Sequence, residues 1–199
     1  SRFSARGRLG YGGGSFTVGG GWVFFVDAAS GRLFRQPVGT GLAQPVTPAF
    51  GDTGAPVLSP DGQWLLFVHS YEDRDSIEIV DSAGEQWPQK LVSGDDFYMQ
   101  PAWHPEGRWI AWVEWDHPNM PWDGTRLKLG RLDGAFPRVV DVQVVAGDHR
   151  TPVQQPQFAP DGRWLSYILG NGEWDDLVLL NLETSERRVL VHGEKFHLA

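Results

Sequence analysis

The chain has 199 residues and is 41% hydrophobic, 13% aromatic and 21% charged, which is enough apolar content for a packed core and too much for wholesale disorder. Its net charge of −8 is the wrong sign for a surface that grips a phosphate backbone, so no nucleic-acid partner is expected. No apolar run approaches the ~18–20 residues a membrane-spanning helix needs, so no membrane partner is expected either, and the absence of cysteine excludes disulfides, thiolate metal sites and cysteine nucleophiles.

In chain order, Ser1-Arg2-Phe3 opens without Met and without an apolar stretch, so no signal peptide is visible. Ser1–Gly10 reads as the end of an earlier unit feeding Tyr11, as in a piece of a longer protein. A repeat then begins. Its first copy, Gly14-Ser-Phe-Thr-Val-Gly-Gly-Gly-Trp-Val23, is degenerate. Three closer copies follow: Pro56-Val-Leu-Ser-Pro-Asp-Gly-Gln-Trp-Leu65, Pro101-Ala-Trp-His-Pro-Glu-Gly-Arg-Trp-Ile110 and Pro156-Gln-Phe-Ala-Pro-Asp-Gly-Arg-Trp-Leu165. The aligned column Phe16, Leu58, Trp103 and Phe158 is spaced by 42, 45 and 55 residues. Four-stranded propeller blades repeat every ~40–50 residues.

Each copy explains itself physically. An apolar residue opens a short strand, and Pro-Asp/Glu-Gly forms a tight turn. Pro60, Pro105 and Pro160 supply its fixed φ, while Gly62, Gly107 and Gly162 accept positive φ at its end. The apolar runs Trp64–Val68, Trp109–Val113 and Trp164–Ile168 fit second strands buried on both faces. Third strands alternate over Ser76–Val80, Arg126–Gly130 and Asp176–Leu180, and edge strands follow at Gln89–Val92 and Arg187–Val191. No stretch keeps a capped 3.6-residue period, so no helix of consequence is expected. The expected fold is all-β: a single β-propeller domain of four blade-like, four-stranded antiparallel units over about 10–50, 51–95, 96–145 and 150–192, part of a larger propeller. Residues 193–199 stand where a fifth unit would open.

Three stretches resemble the non-catalytic propeller of prolyl oligopeptidase-family serine peptidases, in the acylaminoacyl-peptidase-like or dipeptidyl-peptidase-like branch. They are Arg8–Phe16 with its Tyr11-Gly-Gly-Gly14, Leu91–Tyr98, and Glu114-Trp115-Asp116-His117-Pro118-Asn119-Met120-Pro121-Trp122-Asp123. The resemblance implies a bacterial, cytoplasmic peptidase whose propeller docks an α/β-hydrolase domain of the same parent chain and limits access of peptide substrates, with no cofactor or metal. A Ser-Asp-His triad would lie on that other domain. The nucleophile elbow G-x-S-x-G needs a strained strand-to-helix turn, and no serine here has that context. Gly13-Gly14-Ser15-Phe16-Thr17 lacks the final glycine. The chain alone is therefore expected to be inactive. The alternative is a free-standing TolB-like propeller that binds other proteins.

Candidate site residues, for substrate-cleft lining or domain docking, are Trp115, Asp116, His117, Asn119, Met120, Trp122 and Asp123 on one long loop, with Tyr98 and Tyr11. Two prolines stiffen that loop, and loops carry function more often than core positions do; equally, Trp115 and Trp122 could fold back over the blade edge. Asp116 beside His117 could orient an imidazole, but no nucleophile is near, so a hydrogen-bonded loop histidine is the simpler reading. His104 reads as a turn-flanking residue. The acidic clusters Glu72-Asp73-Asp75, Asp95-Asp96 and Glu173-Asp175-Asp176 lack calcium-loop spacing and read as solvated charge. Gly10–Gly14 lacks the Lys-Ser/Thr and helix of a phosphate loop, leaving close backbone approach near an axis. Trp22, Trp64, Trp109 and Trp164 are expected in the core between blades. An arc of four would leave the flanks Phe16, Trp22, Phe24 and Phe158, Trp164, Tyr167 uncovered, so a homodimer closing an eight-bladed ring is a further expectation.

Overall fold

The computed structural model describes residues 3–11 and 13–194. The stretch 195–199, most of the expected opening of a fifth unit, lies outside the described residues, as do Ser1, Arg2 and Gly12. Sixteen strands form four antiparallel sheets, each a meander of four, and no helix occurs among the described residues. The first blade is β1 (Phe16–Gly19), β2 (Trp22–Val26), β3 (Leu33–Pro37) and β4 (Gln44–Pro45). The second is β5 (Asp52–Leu58), β6 (Trp64–Tyr71), β7 (Arg74–Asp81) and β8 (Gln89–Val92). The third is β9 (Phe97–Trp103), β10 (Trp109–Trp115), β11 (Arg126–Asp133) and β12 (Arg138–Ala146). The fourth is β13 (Val153–Phe158), β14 (Trp164–Gly170), β15 (Asp175–Asn181) and β16 (Arg187–Val191). The architecture is that of a β-propeller, as the repeat implies.

The core is the set of three seams between blades, because second strands are apolar on both faces. On β6, Leu65 and Phe67 face Phe24, Val26 and Leu33 of the first blade. Leu66 and Val68, one residue out of phase, join Tyr98, Ile110 and Trp112 of the third. On β10 the phase repeats: Ile110 and Trp112 turn back to the second blade, while Ala111, Val113 and Trp115 pack with Leu165, Tyr167 and Val178 of the fourth. Period-2 side-chain alternation is sufficient cause. Inner strands touch in order, β1 on β5, β5 on β9 and β9 on β13, and no comparable packing joins β13 to β1 among the described residues.

The inner strands share a feature the repeat alone does not reveal. Ala55, Gln100 and Gln155, each just before the repeat's opening proline, all have positive φ, at 50°, 52° and 55°. Each sits where the pairing of its blade's first two strands slips register. A proline has no N–H for the ladder, so a bulge is the natural place for it. Gly13 occupies the matching position in the first blade, also with positive φ.

Three expectations are corrected. The described residues before Tyr11 run across the blades of this chain and form no strand of an additional one. Ala5 bridges Asp27, the Arg6 N–H donates to Val26 O at 2.9 Å, the Arg8 N–H donates to Thr53 O at 3.3 Å, and Tyr11 reaches the third blade. The segment thus straps the ends of three blades. Second, Trp22, Phe24, Phe158 and Tyr167 are not flank residues: the first two pack in the seam with the second blade and the last two in the seam with the third. Phe16 pairs with Phe25 and Thr17 with Phe24, so Phe24 lies on the opposite face from Phe16, in the seam. Phe3 packs on Phe25 and Phe34 at 5.6 and 4.9 Å, covering part of the first blade's outer face and leaving Phe16 and Val18 exposed. The bare apolar flank that motivated a dimer is correspondingly smaller. Third, Trp22, Trp64 and Trp109 pack against the seams between blades as expected, but all four repeated tryptophans, Trp164 included, are only partly buried. The fully enclosed ones are Trp112 and Trp115.

Candidate functional site

Antiparallel meanders sort the connections onto two faces. The Pro-Asp/Glu-Gly turns lie on one. The β6–β7, β10–β11 and β14–β15 loops and the blade-to-blade connections lie on the other, together with the strap 3–11. On the turn face each hairpin is closed by local bonds: the Gly62, Gly107 and Gly162 N–H groups donate to Ser59, His104 and Ala159 O at 2.8–2.9 Å. His104 is buried, accepts the Glu106 N–H at Nδ1 (3.1 Å), and donates from Nε2 to Gly162 O at 2.8 Å, linking the turns of the third and fourth blades.

On the loop face, residues 116–125 between β10 and β11 form the longest connection within a blade, and every fixing bond is visible. Asp116 takes Arg126 Nη2 at 2.8 Å and the Asp96 N–H at 3.1 Å. Asp96 in turn accepts the His117 N–H at 2.9 Å and lies 3.2 Å from its Nδ1. Those contacts hold the Asp96 carboxyl below its usual range, and the His117–Pro118 peptide is cis. Asp123 caps the Met120 N–H at 2.8 Å. The loop's far end is locked to the fourth blade, where the buried Thr125 hydroxyl donates to Val153 O and accepts the Val153 N–H, both at 2.7 Å.

Behind the loop, in the seam between the second and third blades, lies a charged network that the sequence reading missed. Glu114 is 1% exposed. It accepts Trp112 Nε1–H at 2.8 Å, pairs with Lys128, and has Arg126 Nε at 3.6 Å. Arg126 also reaches Asp95 at 2.8 Å. Three carboxylates thus face two cations. Burial, and then the neighbouring Glu114 and Asp116 charges, push Asp95 up to about 7 despite Arg126. Burial also opposes ionisation of Glu114, but hydrogen bonds from Asp95, Lys128 and Trp112 hold it below its usual range. The acidic stretches were expected to be solvated. Instead Asp75 and Asp176 are buried, and burial raises Asp75 to about 6.

The structure gathers some predicted residues and separates others. Tyr11, Trp115 and His117 converge on Phe97: Tyr11 lies edge-on to Trp115 at 4.8 Å, Trp115 stacks on Phe97 at 5.1 Å, and His117 sits 4.7 Å from the same ring. Trp115 is 2% exposed, so it supports the loop instead of lining a cleft. Tyr98 is 0% exposed; its hydroxyl accepts the Asp95 N–H at 2.9 Å inside the seam, and burial pushes its pKa up. It does not reach the surface, because β9 alternates and Tyr98 takes the phase facing the second blade. Trp122, by contrast, is 67% exposed and Met120 45%. A cavity of about 600 Å³ between the third and fourth blades is lined by Tyr11, Trp122, Trp174, Gln100, Gln154 and Glu173, among others. Gln100 and Trp174 were not predicted. The pre-proline position was the available signal for Gln100, whose Oε1 accepts the Gln155 N–H at 2.6 Å. Among the described residues no group of three or more His, Asp or Glu side chains is placed to hold a metal ion.

No family model matches the chain. It is 26% identical over 176 residues to the uncharacterized peptidase YuxL of Bacillus subtilis (strain 168), covering 75% of this chain and 27% of that protein. A puromycin-hydrolyzing peptidase of Mycobacterium tuberculosis superposes with a TM-score of 0.81 at 27% identity, over 96% of this chain and 33% of that one. TolB from Acinetobacter baumannii superposes with a TM-score of 0.65 at 18% identity over 85% of this chain and 40% of its own, a likeness of fold alone. The chain therefore spans about a third or less of the peptidases it matches.

Proposed function

We propose, from the premise that this chain is the propeller portion of a prolyl oligopeptidase-family peptidase, that its loop face docks an α/β-hydrolase domain and controls entry of peptide substrates to it. One observation carries the reading. Trp122 and Met120 are large, apolar and exposed, yet they stand on a loop fixed at both ends by Arg126–Asp116 and Thr125–Val153. Solvent-exposed apolar side chains held in place suit a contact surface, since ordering entropy is already spent before the partner arrives. The adjoining cavity offers Tyr11 and Trp174 as further apolar contacts and Gln100, Gln154 and Glu173 as polar ones, the mixed lining of a ligand cleft.

The same face could serve a TolB-like protein-binding module, which the fold likeness to TolB supports. The parent gene separates the readings, because a G-x-S-x-G segment in an α/β pattern belongs to the first only. In the full-length enzyme, Trp122→Ala and Asn119→Ala should change KM or kcat for peptide substrates, whereas Gln63→Ala and Arg108→Ala on the turn face should not. Equal effects from both faces would refute the assignment.

A further inference from the structure

A second cavity, of about 470 Å³, lies between the first and second blades, lined by Pro48, Phe50, Phe67, Trp87, His69 and Glu78, among others. His69, on β6, is 6% exposed, and both of its ring nitrogens face acceptors. Nδ1 is 2.9 Å from Glu78 Oε1, and Nε2 is 2.9 Å from the backbone carbonyl of Phe50. A neutral imidazole has one N–H and can satisfy only one of them, whereas an imidazolium donates to both. Moving the shared proton to Glu78 would leave a carboxylic acid beside a neutral ring. With free-solution values of roughly 4.3 for Glu and 6.5 for His, the proton belongs on the ring. His104 shows the contrast, since its two nitrogens meet one donor and one acceptor.

The Phe50 carbonyl is on the connection from β4 to β5, which forms one wall of the cavity. That connection is anchored at its start, where Arg32 Nε donates to Thr47 O at 2.8 Å and Thr47 Oγ1 accepts the Leu33 N–H at 3.0 Å. It is anchored again where β5 pairs with β6 from Asp52. Between those points, Phe50 is held outside its own segment by the His69 bond and by its ring lying 4.0 Å from that of Tyr71, and it is 51% exposed. The charges acting on His69 are the Glu78 carboxylate on β7, which favours the cation, and Lys90 on β8, which opposes it.

We propose that His69 is an imidazolium latch: protonated, it pins Phe50 and holds this wall of the cavity in place, and on losing its proton it releases Phe50 and frees the wall to move. Burial works against the charged ring, but the Glu78 carboxylate and the Phe50 carbonyl outweigh it and raise the His69 pKa above 6.5. The latch is therefore complete below about 6.5 and is lost as pH rises through the folded-state value.

The chain has no cysteine, so a single Ala49→Cys carrying a nitroxide reports on the wall. In histidine-labelled protein near pH 6, both His69 ring nitrogens should show imidazolium shifts, with a midpoint above 6.5. The mobile fraction of the nitroxide spectrum should at least double across that same midpoint. Glu78→Gln should lower the midpoint by about one unit, and His69→Gln should abolish the pH response. A neutral His69 ring near pH 6, or a nitroxide spectrum that stays flat across the His69 midpoint, would overturn the latch.

Discussion

Asn119 donates from Nδ2 to the backbone carbonyl of His149 at 2.8 Å, tying the long loop of the third blade to the connection that leads into the fourth. The bond spans thirty residues of chain and adds to the Thr125–Thr151 and Thr125–Val153 bonds that join the same two segments. Asn119→Ala should lower stability by ~0.5–1.5 kcal/mol, the range for one such hydrogen bond. Trp122, three residues further along the loop but 67% exposed, should lose less than ~0.5 kcal/mol on truncation. Urea titration of the two variants checks the contrast, and a larger cost at Trp122 would mean that its ring is packed.

The Pro-Asp/Glu-Gly turns offer a cleaner comparison. Gly62 and Gly162 hold nearly the same φ, 74° and 71°. A Cβ at Gly62 meets nothing within 4 Å, whereas at Gly162 it would come within 2.7 Å of the His104 ring. Gly62→Ala should therefore cost only the left-handed backbone term, ~1–2 kcal/mol. Gly162→Ala should cost visibly more, because the His104–Gly162 link must also shift. Thermal unfolding of the pair measures the difference, and equal costs would show that His104 yields freely.

Why some of this was legible in the sequence and some was not follows from how local each signal is. Pro60-Asp61-Gly62 and its copies set a turn by their own dihedrals, so the strands on either side could be placed from them. The seams were harder. A second strand such as Trp64–Val68 is apolar on both faces and carries no alternation to say which side chain meets which neighbour, and for that reason Phe24 and Tyr167 were assigned to the wrong face. The charged network was hidden for the opposite reason. Arg126-Leu-Lys-Leu looks like a half-exposed strand, and nothing in it announces that Glu114, from another strand, buries beneath those cations. His69 likewise follows an apolar run, and only the fold brings Phe50 to its second nitrogen.

The partly exposed repeat tryptophans and the enclosed Trp112 should separate sharply in stability. Trp112 is 1% exposed, packs between the second and third blades and gives its Nε1–H to Glu114. Trp112→Ala should cost ~3–5 kcal/mol, the range for a large buried aromatic, and it also strips a partner from a buried carboxylate. Trp164 lies under the Arg188 guanidinium, 5.2 Å from ring centroid to Cζ, and is partly open to solvent. Its truncation should cost less than half as much. Chemical denaturation of both variants gives the ratio, and comparable losses would mean that Trp164 is packed as tightly as Trp112.

The network behind the loop predicts an unusual pH dependence. Asp95 titrates at about 7 and Asp75 at about 6, both far above the ~3.9 of an unfolded aspartate. A carboxyl whose pKa is raised by folding favours the native state only while it is protonated. Its contribution is whole below ~4 and is lost as pH rises through the folded value. Glu114 and Asp116 are shifted the other way and contribute above ~4. Between about pH 5 and about pH 8 those two are ionised in both states, so the Asp95 and Asp75 terms should make stability fall as pH rises. Asp95→Asn mimics the protonated carboxyl: its amide oxygen can still accept from Arg126, and its amide N–H can donate to Glu114. That variant should match the parent near pH 4, exceed it increasingly up to pH 8, and show a shallower decline between. Unfolding curves collected at half-unit steps would show it, and parallel pH profiles for the two proteins would mean that Asp95 is ionised throughout.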